Sequence, residues 1–141
     1  MARYEIGLRT SGVAITTPQF ELRSVTRRLR LLEIGGTLQA ATASTLGLGR
    51  PAAVGTGGTN NAVVASDGND ATALALAILA TWTAAPTAPA SFLRRWGLPA
   101  TIGSSFVFTP VGLFVPVGGS LVLWNLAANG IMDIWCAIEE Q

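Results

Sequence analysis

Two apolar runs near the carboxyl end of the chain, residues 120–126 and 131–138, restrict its fold more than any other feature. In the second run apolar residues alternate, which is typical of a β-strand with one buried face, yet the opposite face still carries Trp135. In the first run both faces are apolar, and Trp124 lies on one of them. The residues between the runs, 127–130, end in Asn-Gly, which predicts that the two strands form a hairpin.

The apolar outer faces of these strands need a cover. Because a sandwich core covers only one face of each sheet, we expect partner subunits to cover the other. Burying Trp135 would contribute roughly 4–6 kcal/mol at most, so leaving it exposed in a monomer is unfavourable. Hydrophobic residues make up 50% of the chain and charged residues 12%, which also favours burial between copies.

Glycine and proline divide the rest of the chain into short segments, at a spacing typical of an all-β sandwich or barrel. The phase of the leucines changes at Leu31-Leu32, which predicts a β-bulge. Residues 71–82 alternate as a strand does, although their alanines and leucines are also compatible with a helix. Further strand patterns occupy residues 2–8, 13–17, 19–23, 27–38, 46–48, 62–65, 92–98, 104–109 and 113–117. The sequence predicts one domain, residues 1–141, folded as an all-β, two-sheet antiparallel sandwich, jelly-roll-like, with roughly eight to ten strands.

The residue types present argue against most chemistry. Histidine is absent, which removes Ser-His and Cys-His nucleophile pairs, histidine-rich metal sites and the commonest general base. The acidic residues are scattered, and we interpret Glu139 and Glu140 as a solvated chain end. Residues 67–70 offer oxygen ligands, but they lack the spacing of a calcium loop and are typical of a turn. Cys136 falls on the apolar phase of its strand, as a small core residue does. We therefore predict a protein that is not an enzyme, with no catalytic, cofactor-binding or metal-binding residues.

Charge and segment lengths limit the partners. The net charge of +1 is too small to favour nucleic acid. No apolar stretch reaches the ~18 residues that span a bilayer, so we expect no membrane partner. Glu5 and Arg9 interrupt the first ten residues, which are therefore not typical of a signal peptide, and we expect synthesis in a cytoplasm.

Arginine and tryptophan are the residue types enriched at interface hot spots. They occur together at Arg94-Arg95-Trp96, where the alternative is a core tryptophan between surface arginines. Every basic residue is an arginine, whose planar guanidinium suits carboxylate partners. The candidate contact residues for a protein interface are Trp124, Trp135, Arg94, Arg95, Trp96 and Tyr4.

Several strings of the sequence resemble those of a known group of proteins. Residues 89–140 contain PASFLRRWGLPATIG, GLFVPVGGSLVLWNLAANG and a final strand that ends in acidic residues. Residues 32–52, LEIGGTLQAATASTLGLGRPA, are similar to the same group. The chain in these parts resembles small β-sandwich structural proteins of tailed bacteriophages and prophages.

The resemblance implies a jelly-roll-like fold and a place in the virion, reached after synthesis in the host cytoplasm. The implied function is that of a capsid decoration or cement protein, which binds the major capsid protein of a phage shell and its own copies, with a homotrimer favoured. The alternative is a receptor- or glycan-binding module on a phage tail or spike. That module would use exposed aromatic residues and the loop residues Asn60, Asn61, Asp67 and Asn69.

Overall fold

In a computed structural model of the chain, the structure describes residues 1–12, 17–127 and 130–141. Within these ranges the chain forms twelve strands and no helix. The strands are β1 (Ala2–Arg9), β2 (Pro18–Arg23), β3 (Leu29–Leu38), β4 (Ser44–Gly49), β5 (Asn60–Asn61), β6 (Val64–Ala65), β7 (Leu76–Ile78), β8 (Arg94–Leu98), β9 (Ser105–Phe108), β10 (Leu113–Val115), β11 (Ser120–Asn125) and β12 (Met132–Glu140). The described part of the chain accordingly holds no helix long and apolar enough to cross a membrane.

The strands form two antiparallel sheets of six strands each. Sheet A has the order β10-β3-β12-β1-β6, with β9 also paired to β3, and sheet B has the order β5-β7-β2-β11-β4-β8. Within them, β1-β12-β3-β9 faces β2-β11-β4-β8, which is the strand order of a jelly roll. The predicted two-sheet sandwich is therefore confirmed.

The number of strands exceeds the expected range because of short additional strands at the sheet edges. The long connection between β4 and β8 supplies β5, β6 and β7, and β10 lies beside β9 along the same edge of β3. Of these pieces, β6, β7 and β10 fall within the predicted strands 62–65, 71–82 and 113–117, whereas periodicity did not indicate β5, because a strand of two residues is too short to show an alternation.

One hydrophobic core lies between the two sheets. It includes Ile134, Cys136 and Ile138 of β12 together with Leu121 and Leu123 of β11, so the inward phases of both apolar runs meet there. Cys136 is buried, which confirms it as a core residue.

The predicted bulge in β3 is confirmed. The register between β3 and β12 shifts at Leu32, because Glu33 pairs with Ala137 whereas Leu31 pairs with Ile138. The extra residue changes the phase of the strand, so Leu31 and Ile34 both reach the core although they lie an odd number of residues apart.

The predicted hairpin between the two apolar runs is wrong. β11 lies in sheet B between β2 and β4, whereas β12 lies in sheet A between β1 and β3. The chain therefore crosses from one sheet to the other after β11 instead of turning back within a sheet. Part of the expected turn, residues 128 and 129, lies outside the described residues.

Two further strand predictions have different outcomes. The strand over residues 71–82 is confirmed in kind, but only Leu76–Ile78 pair as β7. The strand over residues 13–17 falls mostly on residues 13–16, which lie outside the described part of the chain.

The interpretation of Glu140 as a solvated residue is wrong. Its carboxylate is buried, and Oε1 accepts hydrogen bonds from the backbone N–H groups of Leu74, at 2.6 Å, and Ala75, at 2.8 Å. Oε2 lies 3.9 Å from Nη1 of Arg27. Glu140 therefore fastens the segment before β7 to the end of β12.

Candidate interaction surfaces

The outer face of sheet B is covered by the chain itself. Val122 and Trp124 of β11 point to this face, and Trp124 is only 1% exposed. Beside Trp124 in the sheet lies Gly47 of β4, where a Cβ atom would stand 2.8 Å from Cδ1 of Phe92. Phe92 belongs to the connection between β4 and β8, so this connection supplies the cover that the sequence had assigned to partner subunits.

A buried carboxylate holds this cover in place. Glu21 of β2 is fully buried and accepts hydrogen bonds from Trp82 Nε1 at 2.6 Å, Arg23 Nη2 at 2.8 Å and the Gly55 backbone N–H at 3.2 Å. Trp82 and Gly55 both belong to the β4–β8 connection, which the single carboxylate thus grips at two points. The local sequence did not mark Glu21, because two of its three donors, Gly55 and Trp82, lie 34 and 61 positions away along the chain.

The outer face of sheet A has no such cover among the described residues. Gly7, Trp135, Gly35 and Val107 lie side by side across four strands of this face. Val107 is 56% exposed, and Val64 of β6 is 63% exposed. The face therefore presents an apolar stripe to the solvent.

Trp135 is fixed on this face by its neighbours. Its indole lies directly over Gly35, where a Cβ atom would stand 2.4 Å from Cζ2 and 2.6 Å from Cε2. Nε1 donates a hydrogen bond to Oε1 of Glu33 at 2.8 Å. On the other side, a Cβ atom at Gly7 would meet nothing within 4 Å. Trp135 is thus half-buried and held in one orientation, with open space on one flank.

Ion pairs lie on either side of the apolar stripe. Arg9 donates two hydrogen bonds to Asp133, at 2.7 and 2.9 Å, and Arg30 lies 3.4 Å from Glu139. The hydrogen bond from Arg9 lowers the pKa of the Asp133 carboxyl below its ordinary value. An apolar centre with a charged rim is the usual anatomy of a protein–protein contact.

A depression of about 670 Å³ opens beside Trp135, towards β6. Its polar groups include two carboxylates, Glu5 and Glu33, and one guanidinium, Arg3. Arg3 lies 3.9 Å from Glu5. No cation of the described residues lies within ion-pair distance of Glu33.

The cluster Arg94-Arg95-Trp96 divides between core and surface. Trp96 is half-buried and stacks on Phe106, with ring centroids 4.4 Å apart. Arg94 and Arg95 are exposed on β8, the edge strand of sheet B. Neither forms an ion pair with any acid in the part of the chain that the structure describes.

Two of the six candidate contact residues lie in the interior of a single chain. Tyr4 has no exposed surface, and its hydroxyl donates a hydrogen bond to the carbonyl oxygen of Ala71 at 3.0 Å. Desolvation raises the pKa of its phenol, and the nearby Glu140 carboxylate adds to the shift. Trp124 is enclosed by the cover of sheet B. In this conformation neither side chain can contact a partner, which corrects their assignment, whereas the role of Trp135, Trp96, Arg94 and Arg95 stays a prediction.

The residues that the sequence analysis considered for catalysis or metal binding lie in surroundings typical of core or turn residues. Burial raises the pKa of the Cys136 thiol to about 12, so the thiol stays protonated at neutral pH. Asp67 accepts a hydrogen bond from the Asn69 backbone N–H at 2.9 Å, which is the geometry of a turn. No group of three or more His, Cys, Asp or Glu side chains able to hold a metal ion occurs in residues 1–12, 17–127 and 130–141.

No family model matches the chain, and neither a curated protein nor a solved structure matches it. The similarity to phage structural proteins therefore rests on the sequence strings quoted above and on nothing else.

Proposed function

We propose that this chain is a non-enzymatic structural protein of a phage virion, a decoration or cement protein that binds the capsid lattice and its own copies. The observation that carries the proposal is the contrast between the two outer faces. The chain covers sheet B with its own β4–β8 connection and leaves sheet A with an oriented tryptophan in an uncovered apolar stripe. The outer face of sheet A is the proposed contact surface.

The energetics of this face suit a docking surface. Fully burying an aliphatic or aromatic side chain contributes about 1.5–3 kcal/mol, so Trp135, Val64 and Val107 could supply most of the affinity. The exposed ion pairs of the rim contribute little to stability, about 0–1 kcal/mol each. Such charges act mainly on the orientation and the association rate of a partner.

The resemblance of residues 32–52 and 89–140 to phage structural proteins supports a phage shell as the assembly. Its partners would then be the major capsid protein and further copies of this chain, with a homotrimer favoured, and its location would be the virion.

The alternative, a glycan-binding module, gains no support from the loop amides it would use. Asn60 Oδ1 accepts a hydrogen bond from the Ala77 backbone N–H at 2.9 Å, and Asn61 Nδ2 donates to the Ala77 carbonyl at 3.1 Å. Both side chains are thus engaged in holding β5 to β7.

Binding to emptied, purified capsids of the phage that carries the gene tests the proposal. The wild-type chain should bind saturably, and Trp135→Ala should leave a folded chain that binds at least about tenfold more weakly, since a hot-spot truncation costs about 2 kcal/mol or more. Light scattering should show a matching loss of oligomers.

The matched control is Val117→Ala, which removes an apolar side chain that is 58% exposed in the connection between β10 and β11. This variant should bind as the wild type does. If the wild-type chain shows no saturable binding, or if Trp135→Ala binds and assembles normally, the proposal fails.

A further inference from the structure

We propose that the depression beside Trp135 is a binding site for a guanidinium group, and that Arg94 or Arg95 of a second copy of this chain supplies that group. The inference rests on the proposed function, because it specifies how copies would meet at the outer face of sheet A.

The depression has the chemistry that a guanidinium requires. One carboxylate oxygen of Glu33, Oε1, accepts a hydrogen bond from the indole N–H of Trp135. No described cation lies within ion-pair distance of this carboxylate. Glu5 adds a second carboxylate, which lies 3.9 Å from the guanidinium of Arg3 and accepts a long hydrogen bond, 3.5 Å, from the hydroxyl of Ser66. A guanidinium is planar, stacks on an aromatic face and donates two parallel hydrogen bonds to a carboxylate. An indole beside two carboxylates therefore suits an arginine side chain.

Arg94 and Arg95 are the matching donors. Each guanidinium lies over an aromatic ring of its own chain, Arg94 at 5.2 Å from the centre of the Phe108 ring and Arg95 at 6.0 Å from that of Phe92. Stacking orients the side chains without neutralising their charge. Arg3, Arg9, Arg23, Arg27 and Arg30 differ from them, because each lies within ion-pair distance of an acidic residue of the same chain. Arg28 and Arg50 also lack an ion pair with any described acid, but both are tied to Phe114, by a 3.8 Å stack and by a hydrogen bond to its carbonyl oxygen, whereas Arg94 and Arg95 are two adjacent guanidinium groups on an edge strand.

The two sites lie on opposite flanks of the sandwich. β8 ends sheet B and contacts β9 of sheet A, whereas the depression lies beside β6 at the other end of sheet A. A contact between two different patches is head-to-tail, so one copy can use its arginines on one neighbour and its depression on another. Such a contact closes into a ring, as a homotrimer does, or continues as an open chain.

Charge variants of the two sites test this arrangement. Arg94→Glu/Arg95→Glu removes the donor and keeps the depression, whereas Glu33→Gln removes a charge of the depression and keeps an oxygen that can accept from Trp135. By sedimentation velocity each variant alone should dissociate at least about tenfold more readily than the wild type, the effect expected for a lost charge-assisted contact. Arg28→Glu, which changes an exposed arginine stacked on Phe114, is the control and should assemble normally.

Mixing the variants gives the decisive result. The donor of Glu33→Gln can still meet the depression of Arg94→Glu/Arg95→Glu, so an equimolar mixture should form a complex of two chains that grows no further. If both variants assemble as the wild type does, or if the mixture stays monomeric at concentrations where the wild type assembles, the inference is overturned. A wild-type chain that binds capsids but never self-associates also overturns it, and of the proposed function only the binding to the capsid lattice then stands. Failure of the wild type to bind capsids refutes the proposed function instead.

Discussion

The outer faces of the two sheets carry similar apolar residues, but those of sheet B are buried whereas those of sheet A are partly or fully exposed. On sheet B, Val122 and Trp124 lie under the β4–β8 connection and have almost no exposed surface. On sheet A, Trp135 and Val107 remain accessible between charged rows. An outward apolar phase in a strand therefore indicates that a cover is needed, but it does not indicate whether the cover belongs to the same chain.

The difference originates in the length of one connection. The link from β4 to β8 runs from residue 50 to residue 93, far longer than the connections usual in a compact domain. Isolated bridges, Ala53 with Thr87 and Thr56 with Ala84, hold its two halves together. These bridged end segments form a third layer on sheet B, whereas the middle of the connection supplies β5, β6 and β7 to the sheet edges.

The largest expected effect comes from removing the carboxylate that holds this layer. Glu21→Ala leaves Arg23 Nη2, Trp82 Nε1 and the Gly55 N–H without their acceptor, all close to a buried position. Breaking a buried charged pair in this way costs about 3–5 kcal/mol. Urea unfolding followed by far-ultraviolet circular dichroism gives the loss in unfolding free energy.

The control for Glu21 is an acid on the open face. Glu139→Ala removes the partner of Arg30, at 3.4 Å, on the partly exposed rim of sheet A. The loss should be about 0–1 kcal/mol, as for other exposed pairs. Equal losses for the two variants would contradict the view that Glu21 anchors the cover of sheet B whereas the ion pair on the rim of sheet A contributes little.

Local patterns of the sequence were sufficient for most of the strands and for the core. Alternation placed Cys136 in the interior, and a change of phase located the bulge at Leu32, since both are properties of a few consecutive residues. The hairpin predicted from Asn-Gly was wrong because strand pairing does not depend on a few consecutive residues alone. Pairing of β11 and β12 is decided by the strands on both sides of each, and these come from distant parts of the chain.

The candidate surface could be predicted only in part. Trp124 and Trp135 both lie on outward phases, and the sequence offered no way to tell that Phe92 and its neighbours would cover the face that carries Trp124. Glu33, whose carboxylate orients Trp135, showed no signal either, because it lies 102 positions away along the chain.

A matched pair of valine substitutions, one on the outer face of each sheet, compares the covered face with the open one, with a smaller expected effect on stability. Val122→Thr places a hydroxyl under the cover of sheet B, where it is fully buried, and should cost about 1–3 kcal/mol. Val107→Thr makes the same change on the open face and should alter the stability by less than about 0.5 kcal/mol. Urea unfolding of both variants at a concentration where the chain is monomeric compares them directly. A similar loss at both positions would mean that the face of sheet A is also covered.

Substitution of three glycines by alanine compares the outer faces of the two sheets with the smallest expected effect on stability. A Cβ atom at Gly35 would stand 2.4 Å from the indole of Trp135, and one at Gly47 would stand 2.8 Å from the rings and methyl groups packed over sheet B. Overpacking costs about 1–3 kcal/mol. At Gly35 the Cβ atom would also stand 2.9 Å from the backbone carbonyl oxygen of Phe106, so Gly35→Ala should disturb the β3–β9 pairing as well as lift the indole into the solvent, and should cost about 1–3 kcal/mol. At Gly47 the three nearest atoms belong to the side chains of Leu126 and Phe92, so Gly47→Ala should cost no more than Gly35→Ala and should leave Trp135 in place.

Gly7→Ala is the control for these two, because it lies in the same row as Trp135 and Gly35 and its Cβ atom would meet nothing within 4 Å. Its stability should stay within about 0.5 kcal/mol of the wild type. Acrylamide quenching of tryptophan fluorescence should rise for Gly35→Ala, since the indole leaves its place over β3, and should stay unchanged for Gly7→Ala. A Gly35→Ala chain with unchanged quenching would show that Trp135 is as tightly enclosed as the residues of sheet B, and the outer face of sheet A would then have only Val107 and Val64 as free apolar side chains to offer a partner.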